Sequence, residues 1–264
     1  MQTRSYWKQF NLTFRDEIYG PDKDKSLWQL CPLAALFDPS VATIFYDDFF
    51  IQPGTKASAA GNYVIVEDDG AGGTDAVSDA AGGLYIHYAD GDDNDEAYLI
   101  SAHETWKFAA GKSLWFEAKC GVIEGATNEA QFIVGLMDAA GADSVLDTEA
   151  GPAATYDGAV FFKVGGALSY YTESSNAGTQ VTSDALGVIV SGTANKFGFF
   201  FKSESDSDTT GTIQFFVDGE AVGDAHTITL AGLEEMHFII GVKSGANAAE
   251  DAFFIDYVKI VQIR

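Results

Sequence analysis

The sequence predicts an all-β fold, a two-sheet antiparallel sandwich preceded by an extended arm. Three observations carry this. Short apolar segments with period-two alternation recur from residue 42 to the end, as half-buried strands require. The 28 glycines and the acidic, serine-rich stretches fall between those segments, where turns belong. Helix-period patterns are scarce, with a single turn expected at Leu230–Met236.

Residues 1–41 form the arm. Four of the chain's five prolines, Pro21, Pro32, Pro39 and Pro53, lie in the first 53 residues. A short helix is expected over Leu27–Leu36, interrupted at Pro32, whose ring cannot continue the hydrogen-bond ladder. The arm carries Tyr6, Trp7, Phe10, Phe14 and Trp28, partner-binding candidates that need a surface to lie on. That surface is either the chain's own sandwich or a neighbouring subunit.

The sandwich is expected over residues 42–264. Its first strands are Thr43–Phe50, Tyr63–Glu67, Leu84–Tyr88, Ala97–Ser101, Ser113–Val122 and Gln131–Asp138. Then come Gly158–Val164, Leu168–Thr172, Gly187–Val190, Lys196–Lys202, Thr212–Val217, His237–Val242 and Ala252–Ile263. Gly165-Gly166 and Asp218-Gly219 read as two-residue hairpin turns. In Ser113–Val122, Leu114, Phe116, Ala118, Cys120 and Val122 share a face suited to a core. Trp115, Glu117, Lys119 and Gly121 share the other, expected to be solvated or to face a groove. Gln131–Asp138 is more uniformly apolar and reads as covered on both faces.

Charge narrows the partners. Thirty-nine acidic residues against 15 basic ones give a net charge of -24, which repels nucleic acid and anionic membranes. A basic surface, divalent cations or a saline medium fit better, as does solubility alone. Cys31 and Cys120 sit among apolar neighbours and read as buried free thiols rather than a disulfide. The N-terminus has no apolar core of a secretory signal, and no run of residues is long and apolar enough to span a bilayer. The sequon at Asn11 is therefore expected to be idle.

Catalytic motifs fail in turn. Gly111-Lys112-Ser113 resembles the end of a phosphate loop, but Trp106 stands where its first glycine should be and a strand follows. Gly70, Gly72 and Gly73 lack the third glycine of a dinucleotide fingerprint. His103-Glu104 lacks a second histidine, since Lys107 takes its place. The four histidines, His87, His103, His226 and His237, are scattered and read as satisfied surface or core residues. Glycoside hydrolysis takes two carboxyls about 5–9 Å apart, and the groove face of Ser113–Val122 offers only Glu117. Glu204, Asp206 and Asp208 have strand spacing but sit in a serine-rich loop, which holds geometry poorly. No catalytic residue is assigned.

Two binding chemistries stay open. Asp90, Asp92 and Asp95, with Asp93 and Asn94, supply hard oxygens for calcium, or simply make a solvated acidic loop. Trp106, Trp115, Tyr170 and Tyr171 offer rings for stacking on sugars, or pack in the core.

The ordered set FYDDFF (residues 45–50), SLWFEAKCGV, FIVGLMDA, DGAVFFKVGG, IQFFVDGEAV and the closing FFIDYVKIVQ resembles the concanavalin A-like, laminin-G-type jelly-roll superfamily, over residues 43–264. The last strand resembles that of laminarinase-like glycoside hydrolases, whose catalytic E-x-D-x-x-E strand has no counterpart here. The arm running into a D-D-F strand is similar to tailed-phage virion proteins. That resemblance implies a non-enzymatic capsid decoration or head-associated subunit. It would be made in the host cytoplasm, carried on the capsid surface, and docked through residues 1–41 on the major capsid protein, another virion subunit or a second copy of itself. The alternative is a lectin-like, carbohydrate-binding module, with or without calcium. A glycosidase or lyase ranks third.

Overall fold

The computed structural model describes residues 27–50, 53, 61–67, 76–77, 83–89, 91–126, 128–147, 150–245 and 250–264. Among these, sixteen strands form two eight-stranded antiparallel sheets. Sheet one contains β1 (Ala42–Asp47), β3 (Ala76–Val77), β4 (Tyr85–Tyr88), β6 (Ser113–Ile123), β12 (Asn195–Lys202), β13 (Thr210–Val217), β14 (Glu220–Thr229) and β16 (Ala252–Ile263). Its order is β14-β13-β12-β6-β16-β4-β3, with β1 pairing the far half of β16. Sheet two contains β2 (Tyr63–Glu67), β5 (Glu96–Ser101), β7 (Gln131–Met137), β8 (Gly158–Lys163), β9 (Ser169–Asn176), β10 (Thr179–Thr182), β11 (Gly187–Val188) and β15 (His237–Lys243). Its order is β10-β9-β8-β7-β15-β5-β2, with β11 on β9.

The sheets meet over an aromatic core. From β6 come Leu114, Phe116, Ala118, Cys120 and Val122, the predicted inner face, all fully buried. Phe116 stacks on Phe199 of β12, and Phe161 of β8 packs on Phe197 and Phe215. β7 is buried throughout. Phe132, Val134 and Leu136 face sheet one, while Ile133 and Met137 lie under Val145 and Tyr156 on the other side.

Several elements differ from the sequence reading. β3, β10 and β14 are additional strands. β14 reads EAVGDAHTIT, an edge strand with most side chains in water, so it shows little apolar alternation. β1 stops at Asp47, whose carboxylate accepts from Phe49 N and the Tyr63 hydroxyl, holding Phe49 in the left-handed region. Leu230–Met236 is a turn followed by an isolated bridge, not a helical turn. Asp218-Gly219 is the expected two-residue turn, both residues at positive φ, between Val217 and Glu220. Gly165-Gly166 instead lies in a longer link, where Gly166 N donates to Asn128 O.

The largest correction concerns the other face of β6. It is not solvated. A 3-10 turn (Leu27–Leu30) and α1 (Leu33–Phe37), separated at Pro32, lie across it. Leu27, Cys31 and Ala35 pack there with Trp115, Phe216 and Val261. Leu27 drops into the gap left by Gly198 of β12, where an added Cβ would sit 2.6 Å from Leu27 Cδ2. Both cysteines are free and buried.

Candidate functional site

One irregularity builds the site. β16 carries a bulge at Asp256, so Ile255 lies opposite Cys120 while Tyr257 lies opposite Lys119. The extra residue reverses the phase of the strand. Phe253 and Ile255 point into the core before it, and Val258 and Ile260 do so after it. Tyr257 and Lys259 are thereby sent to the outer face of sheet one. Asp256 itself pairs with Lys119.

Across that face the register aligns Gly198, Glu117, Lys259 and Tyr46 in one row over β12, β6, β16 and β1. The Leu27–Phe37 segment closes one side, leaving a groove of about 320 Å³ lined by Trp28, Tyr46, Glu117, Lys196, Tyr257 and Lys259 among others. Glu117 is only 8% exposed, and its Oε1 accepts from the Tyr257 hydroxyl at 2.7 Å. Tyr46 stays 58% exposed, its ring centroid 6.3 Å from that of Tyr257. Lys259 Nζ sits 3.9 Å from the Trp28 ring centroid, a cation–π contact. Asp218, at the lip, accepts from Asn195 Nδ2 and Lys196 N.

Burial sets the titration of these groups. It pulls the Lys259 ammonium below its ordinary value, partly opposed by Cys31 and Glu117. It raises the Tyr257 phenol, and the adjoining Glu117 carboxylate raises it further. Tyr46 is raised chiefly by burial, with Asp48, Asp256 and Asp47 adding to it. The groove therefore presents a phenol, a ring face and an ammonium, with its carboxylates already accepting hydrogen bonds.

The predicted sugar-stacking rings mostly lie elsewhere. Trp106 is in the inter-sheet core, bridged to Met236. Trp115 is buried beneath the Leu27–Phe37 segment and stacks on Phe200 at 4.9 Å. Tyr170 packs in the core against Phe161 and Phe197. Tyr171 is half-buried on Phe162 of sheet two. None of the four lines the groove. Of the partner-binding candidates, Trp28 lies on its own sandwich, and Tyr6, Trp7, Phe10 and Phe14 lie outside the described residues.

In the acidic loop, Asp90 lies outside the described residues. Asp92 and Asp95 bond to each other, Asp95 Oδ2 accepting from Asp92 N and Asp92 O from Asp95 N. Among the described residues, no group of three or more His, Cys, Asp or Glu side chains is placed to hold a metal ion. The Glu204–Asp208 stretch is a turn, with Asp208 Oδ2 accepting from Ser203 Oγ, Glu204 N and Ser205 N. Three of the four histidines have structural partners, while His103 is exposed. His87 lies between Tyr85 and Glu67, His226 bonds Ser174, and His237 donates to Ser101 O.

Sheet two holds buried charges. Lys243 Nζ contacts Glu96 at 3.1 Å and Asp143 at 3.0 Å and also pairs with Asp147, tying the loop that carries Val145 over the sheet. Glu173 accepts from the Tyr156 and Thr182 hydroxyls, and burial raises its carboxyl. Both carboxylates are enclosed.

No family model and no curated protein matches the chain. Solved structures do. An endo-1,3-beta-glucanase from Streptomyces sioyaensis aligns with a TM-score of 0.57 at 15% identity, covering 85% of this chain and 97% of that one. Peanut lectin aligns with a TM-score of 0.55 at 14% identity, covering 84% and 97%. The carbohydrate recognition domain of Emp47p aligns with a TM-score of 0.51 at 12% identity, covering 84% and 97%. At such identities the likeness shows the fold, a concanavalin A-like jelly-roll sandwich. These neighbours include both binders and an enzyme, so the fold alone leaves enzymatic activity open.

Proposed function

We propose that the protein is a non-enzymatic, lectin-like sandwich that holds a glycan in the groove on sheet one. One observation carries this reading: the exposed Tyr46 ring stands beside the Tyr257–Glu117 pair and the Lys259 ammonium. A pyranose needs an aromatic surface for its C–H face and directed polar groups for its hydroxyls, and the groove supplies both. Glu117 and Asp218 already accept internal hydrogen bonds, which favours holding a sugar over cleaving it. A glycan array with wild type and Tyr46→Ala tests the reading. Hits that vanish in the variant, at unchanged melting temperature, support it. A blank array, or hits indifferent to Tyr46, refutes it.

A second reading, a subunit docked on a virus capsid, is favoured by a separate observation. Phe37 is 76% exposed on α1 and Phe50 68% exposed after β1, with Ile44 also exposed on β1. On this reading these side chains, on the arm and on or after the strand that follows it, would meet the partner surface. Particle association that survives Phe37→Ser with Phe50→Ser would remove this reading.

A further inference from the structure

We infer that the groove selects sugars carrying a single anionic substituent, of the uronic-acid or sulfate-ester type. The inference rests on the glycan reading and narrows it. Its basis is an imbalance in the lining. The groove's two carboxylates have partners, Glu117 in Tyr257 and Asp218 in Asn195 and the Lys196 backbone. Its two ammonium groups, on Lys259 and Lys196, form no ion pair among the described residues.

Lys259 is the more telling of the two. It lies directly opposite Glu117 in the β16–β6 register, where an ion pair would be expected. Instead Tyr257 takes the carboxylate, and the ammonium turns to the Trp28 ring. A ring face satisfies a cation without consuming its N–H donors. Those donors remain for a ligand acceptor in the groove. Burial disfavours the charge on Lys259, so an incoming anion recovers interaction that the chain withholds. Lys196, at the opposite lip beside the Asp218-Gly219 turn, supplies a second positive charge.

The limit to one charge comes from the surroundings. Asp47, Asp48 and Asp256 lie close enough to act on Tyr46, and the chain carries a net charge of -24. A polyanion would meet that field along its length, whereas a single charge between two lysines, on a neutral ring over Tyr46, would not.

The experiment is a matched glycan array followed by titration of the hits. Each neutral glycan is printed beside its 6-carboxylate, its 6-sulfate and a polysulfated form. The expected result is a preference of about tenfold for one of the singly anionic forms over its neutral parent, the factor of one charge-assisted hydrogen bond. The two singly anionic arms tell which substituent is read. Lys259→Met should abolish the preference while retaining residual Tyr46-dependent binding, and Lys196→Met, at an exposed site, should reduce it. Lys202→Met, at the far end of β12, should change nothing. Equal binding of neutral and anionic partners would overturn the selectivity and leave the glycan reading standing. A preference for the polysulfated form, or one that survives both groove substitutions, would also overturn it. Silence across all four forms would remove both proposals.

Discussion

Leu27→Ala should release the Leu27–Phe37 segment from sheet one without unfolding the sandwich, and Cys31 reports the release. Leu27 is 1% exposed and fills the gap over Gly198. Truncating a buried leucine to alanine costs 2–5 kcal/mol; taking about 3 kcal/mol for a small satellite cluster, the opening equilibrium shifts by about a hundredfold. Burial pushes the docked Cys31 thiol up to about 12. An exposed thiol titrates near ~8.5, so at pH 8 the docked sulfur is ionised about a thousandfold less than the released one. Thiolate is the reactive species, and labelling therefore runs through the open state. The assay is reaction with an aromatic disulfide reagent in native buffer, with each cysteine followed by mass spectrometry of its peptide. Cys31 should label about a hundredfold faster in the variant, while Cys120, fully buried between the sheets, keeps its wild-type rate. An unchanged Cys31 rate would refute the account of Leu27. Equal acceleration of both cysteines would mean that the segment and the sandwich open as one unit.

Lys243→Met leaves Glu96 buried without its cation and should cost about 3–5 kcal/mol by urea unfolding, with Lys243→Met plus Glu96→Leu recovering part of the loss; no recovery in the double variant would contradict a charge-based cost. Glu173→Gln should stabilise the protein at pH 7. Its folded-state carboxyl is raised by burial, so its favourable contribution is complete below the unfolded value and lost as pH rises through the folded one. The gap between variant and wild type should therefore close as pH falls toward 4, and a gap that widens on acidification would count against this sign. Deleting Asp256 removes the bulge and puts the two halves of β16 in conflict, so soluble yield should collapse, whereas Asp256→Ala keeps the extra residue and should fold. If both express equally well, the bulge is not what orients Tyr257 and Lys259.

Period-two alternation made the inner face of β6 legible, because a strand buried on one side declares that side by its apolar residues. It could not say what covers the other side. Trp115 and Glu117 read as outward-facing, and they are, but toward Leu27 and Tyr257 rather than water. Contacts that span 88 residues of chain, from Leu27 to Trp115, or 140, from Glu117 to Tyr257, leave no local pattern. Glu117 and Trp28 stood out in the sequence, whereas Tyr46, Tyr257 and Lys259 did not. A usable signal was present in FFIDYVKIVQ, where the apolar positions pass from Phe253 and Ile255 to Val258 and Ile260. That change of phase within one strand marks a bulge, and bulges re-aim side chains. β14 escaped because edge strands are polar by necessity.

The position of β16 has a consequence for how the chain is made. It leaves the ribosome after the other fifteen described strands, yet it lies inside sheet one, between β6 on one side and β1 and β4 on the other. Until residues 252–263 emerge, β6 lacks one neighbour, and β1 and β4 have no strand to join them to the sheet. Sheet two shares the delay in part: β7, β8 and β9 pair in order as they emerge, but β5 and β2 join them only through β15, residues 237–243. Synthesis thus produces a half-formed sandwich whose open seam is filled from the C-terminal side. Pairings of such long sequence separation make folding slow and leave apolar edges uncovered in the meantime.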